Sequence, residues 1–263
     1  MKVKKDKLKI LIICRFNSKR LKFKIKKKIL GKSLLEILIL RLCKSFRKKE
    51  IIICSGEKKN KFFEEIKKKH KINVFYGSEK NIFKRIIRCC DKFKADHFVR
   101  ITGDNPLTDI KTLKKMTKIY FKKKLDFIYT NGLFPGLRSE IMSISSLKKI
   151  YKLAEDPNSS EYLTYFYLRK NFNKIYCLNE KVKSKEKKLS ITIDTEKDFK
   201  KLKKLIKNQN DIYIKREQIS KRLKPDFTEQ GLRLIPLVTK NYNVRFKSDA
   251  QNFNFINLKE FHL

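Results

Sequence analysis

The sequence predicts one α/β domain built on a mostly parallel sheet with helices on both faces. Three observations predict it. Short, almost wholly apolar runs recur along the first hundred residues, segments with helical spacing of apolar residues separate them, and the two kinds alternate strictly. "LKILIIC" (8–14) is the first strand and ends in a polar turn, "RFNSKR". "SLLEILILRLCKSF" (33–46) repeats its apolar residues at helical spacing behind Gly31, a chain breaker. "EIIICS" (50–55) is a second buried strand, "KKNKFFEEIKKKH" (58–70) an amphipathic helix and "INVFYG" (72–77) a third strand. "NIFKRIIRCCDKF" (81–93) is a further helix and "DHFVRIT" (96–102) a fourth strand.

A chain of 263 residues with 41% apolar content supports one sizeable core, with or without an appendage. Its formal net charge of +41 is dominated by lysine spread over nearly every segment. That distribution reads as a solvated lysine surface, with a non-enzymatic polyanion-binding protein as the alternative from another class. Cys14, Cys43, Cys54, Cys89, Cys90 and Cys177 include no C-x-x-C pair and read as small core residues in a reducing cytosol. The apolar run near the N-terminus stops at Arg15, too short for a secretory segment. No run approaches the roughly 18 apolar residues of a membrane span, so the expected location is the cytoplasm.

In such sheets ligands bind beyond the carboxyl ends of the strands, which directs attention to the turns after the first and fourth. The first turn carries Arg15, Ser18, Arg20 and Lys24. Forked guanidinium donors and a compact ammonium suit phosphate oxygens, yet basic residues at this density are also ordinary for this chain. Neither a P-loop nor a G-x-G-x-x-G motif is present, so phosphate would be held by side chains. The other turn, "GDNPLTD", places Asp104 at a strand end, where it reads either as a turn residue or as a ligand. "DTEKD" reads likewise as a helix start, with Asp194 or Thr195 as N-cap and Asp198 closing a box.

Four segments in order carry a family resemblance. "IICRFNSKRLKFK" resembles the A-R-x-x-S-x-R-L-P-G-K opening of the cytidylyltransferases that activate acylneuraminate and deoxyoctulosonate sugars. "FYGSEKNIFKRI", "VRITGDNPLTD" and "SITIDTEKDFKKLKKL" are similar to the F-x-G-S-E, V-R-x-T-G-D-x-P-L and V-D-T-x-x-D-F segments of its spore-coat polysaccharide biosynthesis branch, of the F type. The resemblance spans residues 8–207. It implies a Rossmann-like nucleotide-diphospho-sugar transferase fold over residues 1–208. Residues 209–263 then form a C-terminal extension, either a packing arm or partly disordered, with one helix at 216–223.

The resemblance also implies an activity: CMP passes from CTP to a nonulosonic or octulosonic sugar acid, pyrophosphate leaves, and Mg²⁺ assists, for surface polysaccharide assembly. A nucleotidyltransferase with another base or a sugar 1-phosphate acceptor is the nearest alternative. Arg15, Ser18, Arg20 and Lys24 match the phosphate loop, and Asp104 and Asp194 the two metal-holding carboxylates. Ser78 and Arg85 match the base and ribose region. Arg100 is expected to face the sugar or to pair with a carboxylate, and Glu140, within "FPGLRSEIMS", to line the sugar pocket. A homodimer is implied, while no nucleic acid or membrane partner is expected.

Two departures stand out. Lys22 and Phe23 replace the family's Pro-Gly ahead of Lys24, which removes a fixed φ and a residue free to adopt positive φ. In "SSEYLTYFY" (159–167), Tyr162 and Phe166 stand where the family has His and Pro. His70, His97 and His262 lie away from every motif, which argues against an imidazole general base.

Overall fold

The computed structural model describes residues 7–18, 20–56, 58–153, 167, 174–223, 235–238 and 244–247. The "SSEYLTYFY" segment, save Tyr167, and most of the chain after residue 223 lie outside the described residues. The elements in order are β1 (Leu8–Cys14), β2 (Lys28–Ile29), β3 (Lys32–Ser33), α1 (Leu34–Cys43), β4 (Ile51–Ser55), α2 (Lys61–His70), β5 (Asn73–Tyr76), α3 (Ile82–Lys92) and β6 (His97–Thr102). There follow α4 (Ile110–Lys123), β7 (Phe127–Asn131), β8 (Glu140–Ser143), α5 (Ile144–Leu153), β9 (Ile175–Asn179), α6 (Glu196–Leu205), α7 (Arg216–Arg222), β10 (Ile235–Val238) and β11 (Val244–Lys247).

Seven strands form one sheet in the order β5-β4-β1-β6-β8-β7-β9. All neighbours are parallel except those of β8, which runs antiparallel to both β6 and β7. The predicted mostly parallel sheet is therefore present, and each element read from the sequence lies within a few residues of its expected bounds. After β1 the chain fills one side of the sheet with β4 and β5, then crosses to the other side at β6. The order thus reverses between β1 and β6, and the crevice at a reversal is where α/β sheets bind ligands.

Side-chain alternation splits the core. Ile10 and Ile12 of β1 join Leu35, Leu38, Phe63 and Met116 from α1, α2 and α4 on one face. Leu11 and Ile13 join Phe83, Ile86 and Leu147 from α3 and α5 on the other. Capping fixes the helix starts: Ser33 and Glu36 form a reciprocal box at α1, and Asn60, Asn81 and Asp109 cap α2, α3 and α4. Each such cap is worth about 1 kcal/mol.

A third apolar cluster closes the carboxyl edge of the sheet. It joins Leu107, Leu133, Leu137, Ile191 and Ile193 to Leu202 and Leu205 of α6, and to Ile212, Ile214 and Ile219. Residues 209–222 therefore pack on this domain, with α7 inside the helix expected at 216–223. The Arg41 guanidinium ties them down: Nη1 donates to the carbonyls of Ile212 at 2.7 Å and Ile214 at 3.1 Å, and Nη2 to that of Thr108 at 3.2 Å.

Candidate active site

The crevice is built by two strand ends that approach closely. The Gly103 amide donates to the Ile13 carbonyl at 2.9 Å, continuing the β1–β6 pairing past the strand. A Cβ on residue 103 would lie 2.7 Å from the Cβ of Cys14, so only glycine permits this approach. The chain then turns. Asn105 donates from its backbone to the Thr102 carbonyl at 3.0 Å and from Nδ2 to Thr102 Oγ1 at 2.8 Å, while Thr108 Oγ1 donates to the Asn105 carbonyl at 2.9 Å. This lattice holds Asp104 at the mouth of the crevice.

A distant segment is pinned beside it. The Ile193 amide donates to the Asp104 carbonyl at 3.0 Å, and the Ile191 amide to that of Pro135 at 2.9 Å. Gly136, at φ +97°, lets the 134–137 turn press against Ile191 and Thr192, where a Cβ would meet the backbone at 2.6 Å. Of the two N-cap readings for α6, the structure selects Thr195. Its hydroxyl accepts from the Asp198 amide, and Asp198 Oδ2 accepts from the amides of Asp194 and Thr195 at 3.0 and 2.9 Å. The cap thus falls to its neighbours, and the Asp194 carboxylate is turned into the crevice.

Lys24 joins the two. Its Nζ donates to Asp104 Oδ2 at 2.7 Å, Asp194 Oδ1 at 3.1 Å and the Ile193 carbonyl at 3.0 Å. Arg20 reaches Asp194 Oδ1 at 2.9 Å from a side chain 66% exposed, whereas that of Lys24 is 11% exposed. Arg15 and Ser18 occupy the same loop, Arg15 exposed and Ser18 half-buried. Residues read separately from three motifs therefore meet at one point. Among the described residues no three His, Cys, Asp or Glu side chains cluster as a metal site. The two carboxylates and the Ile193 carbonyl are nonetheless hard oxygen donors gathered around one cation, which is chemistry that Mg²⁺ accepts.

The family model for cytidylyltransferases matches residues 9–219. The chain belongs to the cytidylyltransferase family. It is 35% identical over 240 residues to the uncharacterized protein MJ1063 of Methanocaldococcus jannaschii, covering 90% of this chain and 96% of that one. It is 27% identical over 203 residues to the spore coat polysaccharide biosynthesis protein SpsF of Bacillus subtilis, covering 74% and 84%. Among solved structures, a cytidylyltransferase from Leptospira borgpetersenii superposes with a TM-score of 0.74 at 26% identity, over 82% of this chain and 92% of that one. The protein is a nucleotidyltransferase with the expected fold, and the non-enzymatic alternative falls away.

Of the other residues matched to the cytidylyltransferase motifs, Ser78 and Arg85 lie beyond the ends of β4 and β5, and Arg100 lies within β6 opposite Glu140 of β8. Ser78 Oγ accepts from the Asn81 amide at 3.0 Å just before α3. Arg85, in α3, is 6% exposed, and its guanidinium lies where any side chain at Gly56 would be. A Cβ at Gly77 would meet Phe75 Cε1 at 2.8 Å and Arg85 Cγ at 2.9 Å, so both glycines leave room that this arginine uses. Burial pushes the Arg85 guanidinium below its ordinary range; Arg15 and Arg100 push the same way, against Cys54 and Cys14. Positive charge thus accumulates at the crevice. Arg100 and Glu140, opposite each other in the β6–β8 register, pair at 2.9 Å. Of the two readings of Arg100 the structure shows the pair with a carboxylate, and that carboxylate is Glu140.

Sequence reasoning missed one contributor. Gly136 steers the approach of Asp194, and its signal was the glycine in "FPGLRSE". Phe23, which stands where the family has glycine, takes φ 53°, ψ 29°, the left-handed region that a glycine enters freely. All six cysteines are free. No described helix is long and apolar enough to cross a membrane.

Proposed function

We propose that this protein transfers CMP from CTP to a hydroxyl of a nonulosonic or octulosonic sugar acid in the cytoplasm, releasing pyrophosphate for surface glycan assembly. The observation that carries this reading is the meeting of Lys24 with Asp104 and Asp194 in the crevice between β1 and β6. In-line attack at an α-phosphorus needs the triphosphate neutralised and the leaving group stabilised, and Arg15, Ser18, Arg20 and Lys24 present that capacity on one loop. Asp104 and Asp194 would hold Mg²⁺. The ion, when bound, polarises the α-phosphate and lowers the pKa of the attacking hydroxyl.

The chain's own residues account for the remaining needs. Asn105 and Asp198 keep the two carboxylates aimed by fixing their backbones. Arg85, buried and within the electrostatic reach of Arg15 and Arg100, favours an anionic ligand. Ser78 lies at the start of that helix, in position for the nucleoside. Arg100 and Glu140, bonded to each other, are the guanidinium and carboxylate assigned to the sugar acid in this reading.

Pyrophosphate release from CTP with a panel of 2-keto sugar acids tests the reading, and Asp104→Ala should abolish it. Thermal shifts with each of the four triphosphates and Mg²⁺ test the base, because a ligand bound only by the folded state raises its melting temperature. The largest shift is expected with CTP. Equal shifts for all four would remove the cytosine assignment, and turnover of a sugar 1-phosphate alone would remove the sugar acid.

A further inference from the structure

The Lys24 ammonium has three N–H donors and three acceptors, one on each of Asp104, Asp194 and Ile193. Each proton is thereby committed to the protein, in a pocket that leaves the side chain 11% exposed. An ammonium so placed has no donor left for a phosphate oxygen. It also occupies the space between Asp104 Oδ2 and Asp194 Oδ1, which a divalent ion bridging those two oxygens at metal–oxygen distances near 2 Å would need. Lys24 therefore cannot serve the triphosphate and guard the carboxylates at once.

We infer that Lys24 is a resident counter-cation that must be withdrawn before Asp104 and Asp194 can hold a divalent ion, so that nucleotide and metal load as a coupled pair. The inference rests on the proposed nucleotidyl-transfer reading and adds an order of events to it. Without a nucleotide, the ammonium holds one oxygen of each carboxylate, Asp104 Oδ2 and Asp194 Oδ1, and competes with the metal as a like charge. A triphosphate entering along the Arg15–Arg20 loop offers several anionic oxygens in exchange, and the four-carbon stem of lysine can swing to them. Arg20 holds the same Asp194 oxygen from an exposed position and is free to follow. The carboxylates then face the metal with their full charge. By linkage, metal favours triphosphate to the same degree that triphosphate favours metal. Free metal alone is a poor ligand, and the site is kept from idle occupation.

The test uses Mn²⁺ alone, titrated into the nucleotide-free protein and followed by the electron paramagnetic resonance signal of the unbound ion. Lys24→Met keeps the aliphatic stem and removes the charge. It should bind Mn²⁺ more tightly than the wild type by roughly 5- to 150-fold, the usual range of such couplings. The added affinity should vanish in Lys24→Met/Asp194→Asn. Unchanged or weaker Mn²⁺ binding in a folded Lys24→Met would overturn the inference. Should that variant not fold, the wild type answers through reductive methylation of Lys24 read by peptide mass spectrometry. Labelling should be slow in the free protein and rise when Mn²⁺ saturates the site. Labelling that stays slow with the site saturated also overturns it. None of these arms contains CTP: a gain in Mn²⁺ affinity with no CTP turnover sinks only the cytidylyl reading, and turnover with no gain sinks only the counter-cation.

Discussion

The rings of Phe16 and Phe23 lie with centroids 4.8 Å apart, clasping the two arms of the loop that carries Arg15, Ser18, Arg20 and Lys24. Phe16 also reaches Phe62 on α2, at 5.7 Å, so the clasp is anchored to the domain. Phe23 is bound into this contact while its backbone is left-handed, a conformation that costs an L-residue with a Cβ about 1 kcal/mol. The family's glycine would meet no such cost, and here a tilted ring contact of about 1 kcal/mol offsets it. Because the ring is 43% exposed, little burial is added. Phe23→Ala should therefore be the worse variant, since it keeps the left-handed backbone and loses the ring. Phe23→Gly should exceed Phe23→Ala in urea-unfolding stability by about 1 kcal/mol, the reverse of the usual order of these residues. Alanine more stable than glycine at this position would show that the strain is absent.

The two carboxylates on Lys24 differ in exposure, 4% for the Asp194 side chain and 20% for Asp104. Neutralising either leaves a buried ammonium undercompensated, and breaking buried pairs costs about 3–5 kcal/mol. Asp194→Asn should lie at the upper end of that range, because it loses Arg20 and Lys24 together. Asp104→Asn should cost less, because water already reaches the Asp104 side chain, which is 20% exposed. Urea titrations of both variants check the order.

The parts of the fold that were legible in the sequence are those where local chemistry and final environment agree. β1 and β4 bury residues on both faces because helices cover both sides, and their boundaries read directly from "LKILIIC" and "EIIICS". The site residues that meet at Lys24 were legible through motifs, whereas their convergence was not. It depends on the Ile193–Asp104 backbone bond between segments far apart in the chain, and on Gly136 yielding to Ile191, which no local pattern encodes. The packing of Ile212, Ile214 and Ile219 was hidden for a related reason. Their side chains fill a cluster that draws its other members from segments far apart in the chain, among them "NPLTD", the 133–137 turn, the 189–193 segment and α6.

Glu36 links α1 to α2. It accepts from the Ser33 amide and hydroxyl at 2.8 Å each and from Lys69 Nζ at 2.7 Å, with His70 Nε2 at 3.2 Å. Burial by itself would raise its pKa, but the Lys69, Ser33 and His70 hydrogen bonds outweigh it together and hold the carboxyl down at about 2, from an ordinary value of 4.5. A depressed folded pKa contributes stability that is complete above the unfolded value and lost as pH falls through the folded one. Wild-type stability should thus fall between about pH 4.5 and pH 2 in part through this group. Glu36→Gln should cost about 2 kcal/mol at pH 7 and progressively less below pH 4.5. A wild-type-to-variant difference that stays constant between pH 7 and pH 3 would count against the assignment.

Arg41 makes the strongest case that residues 209–222 stabilise the site rather than merely follow it. Its guanidinium is 5% exposed and donates to carbonyls on both sides, Ile212 and Ile214 on one and Thr108, in the turn after Asp104, on the other. Burial pulls its pKa down to about 10, partly offset by Asp109 and Tyr213, so it remains charged at neutral pH. Removing it strands several buried carbonyls, each worth about 1 kcal/mol or more to satisfy. Arg41→Met preserves apolar volume but not these bonds, and should cost about 3 kcal/mol. The loss should not be uniform. Hydrogen exchange should accelerate first in residues 209–222 and in the 104–109 turn, ahead of β1 and β4, because the guanidinium ties these two segments to each other. Exchange that rises evenly across the sheet would mean that Arg41 serves the core in general and leaves the Asp104 turn no more dependent on it than any strand.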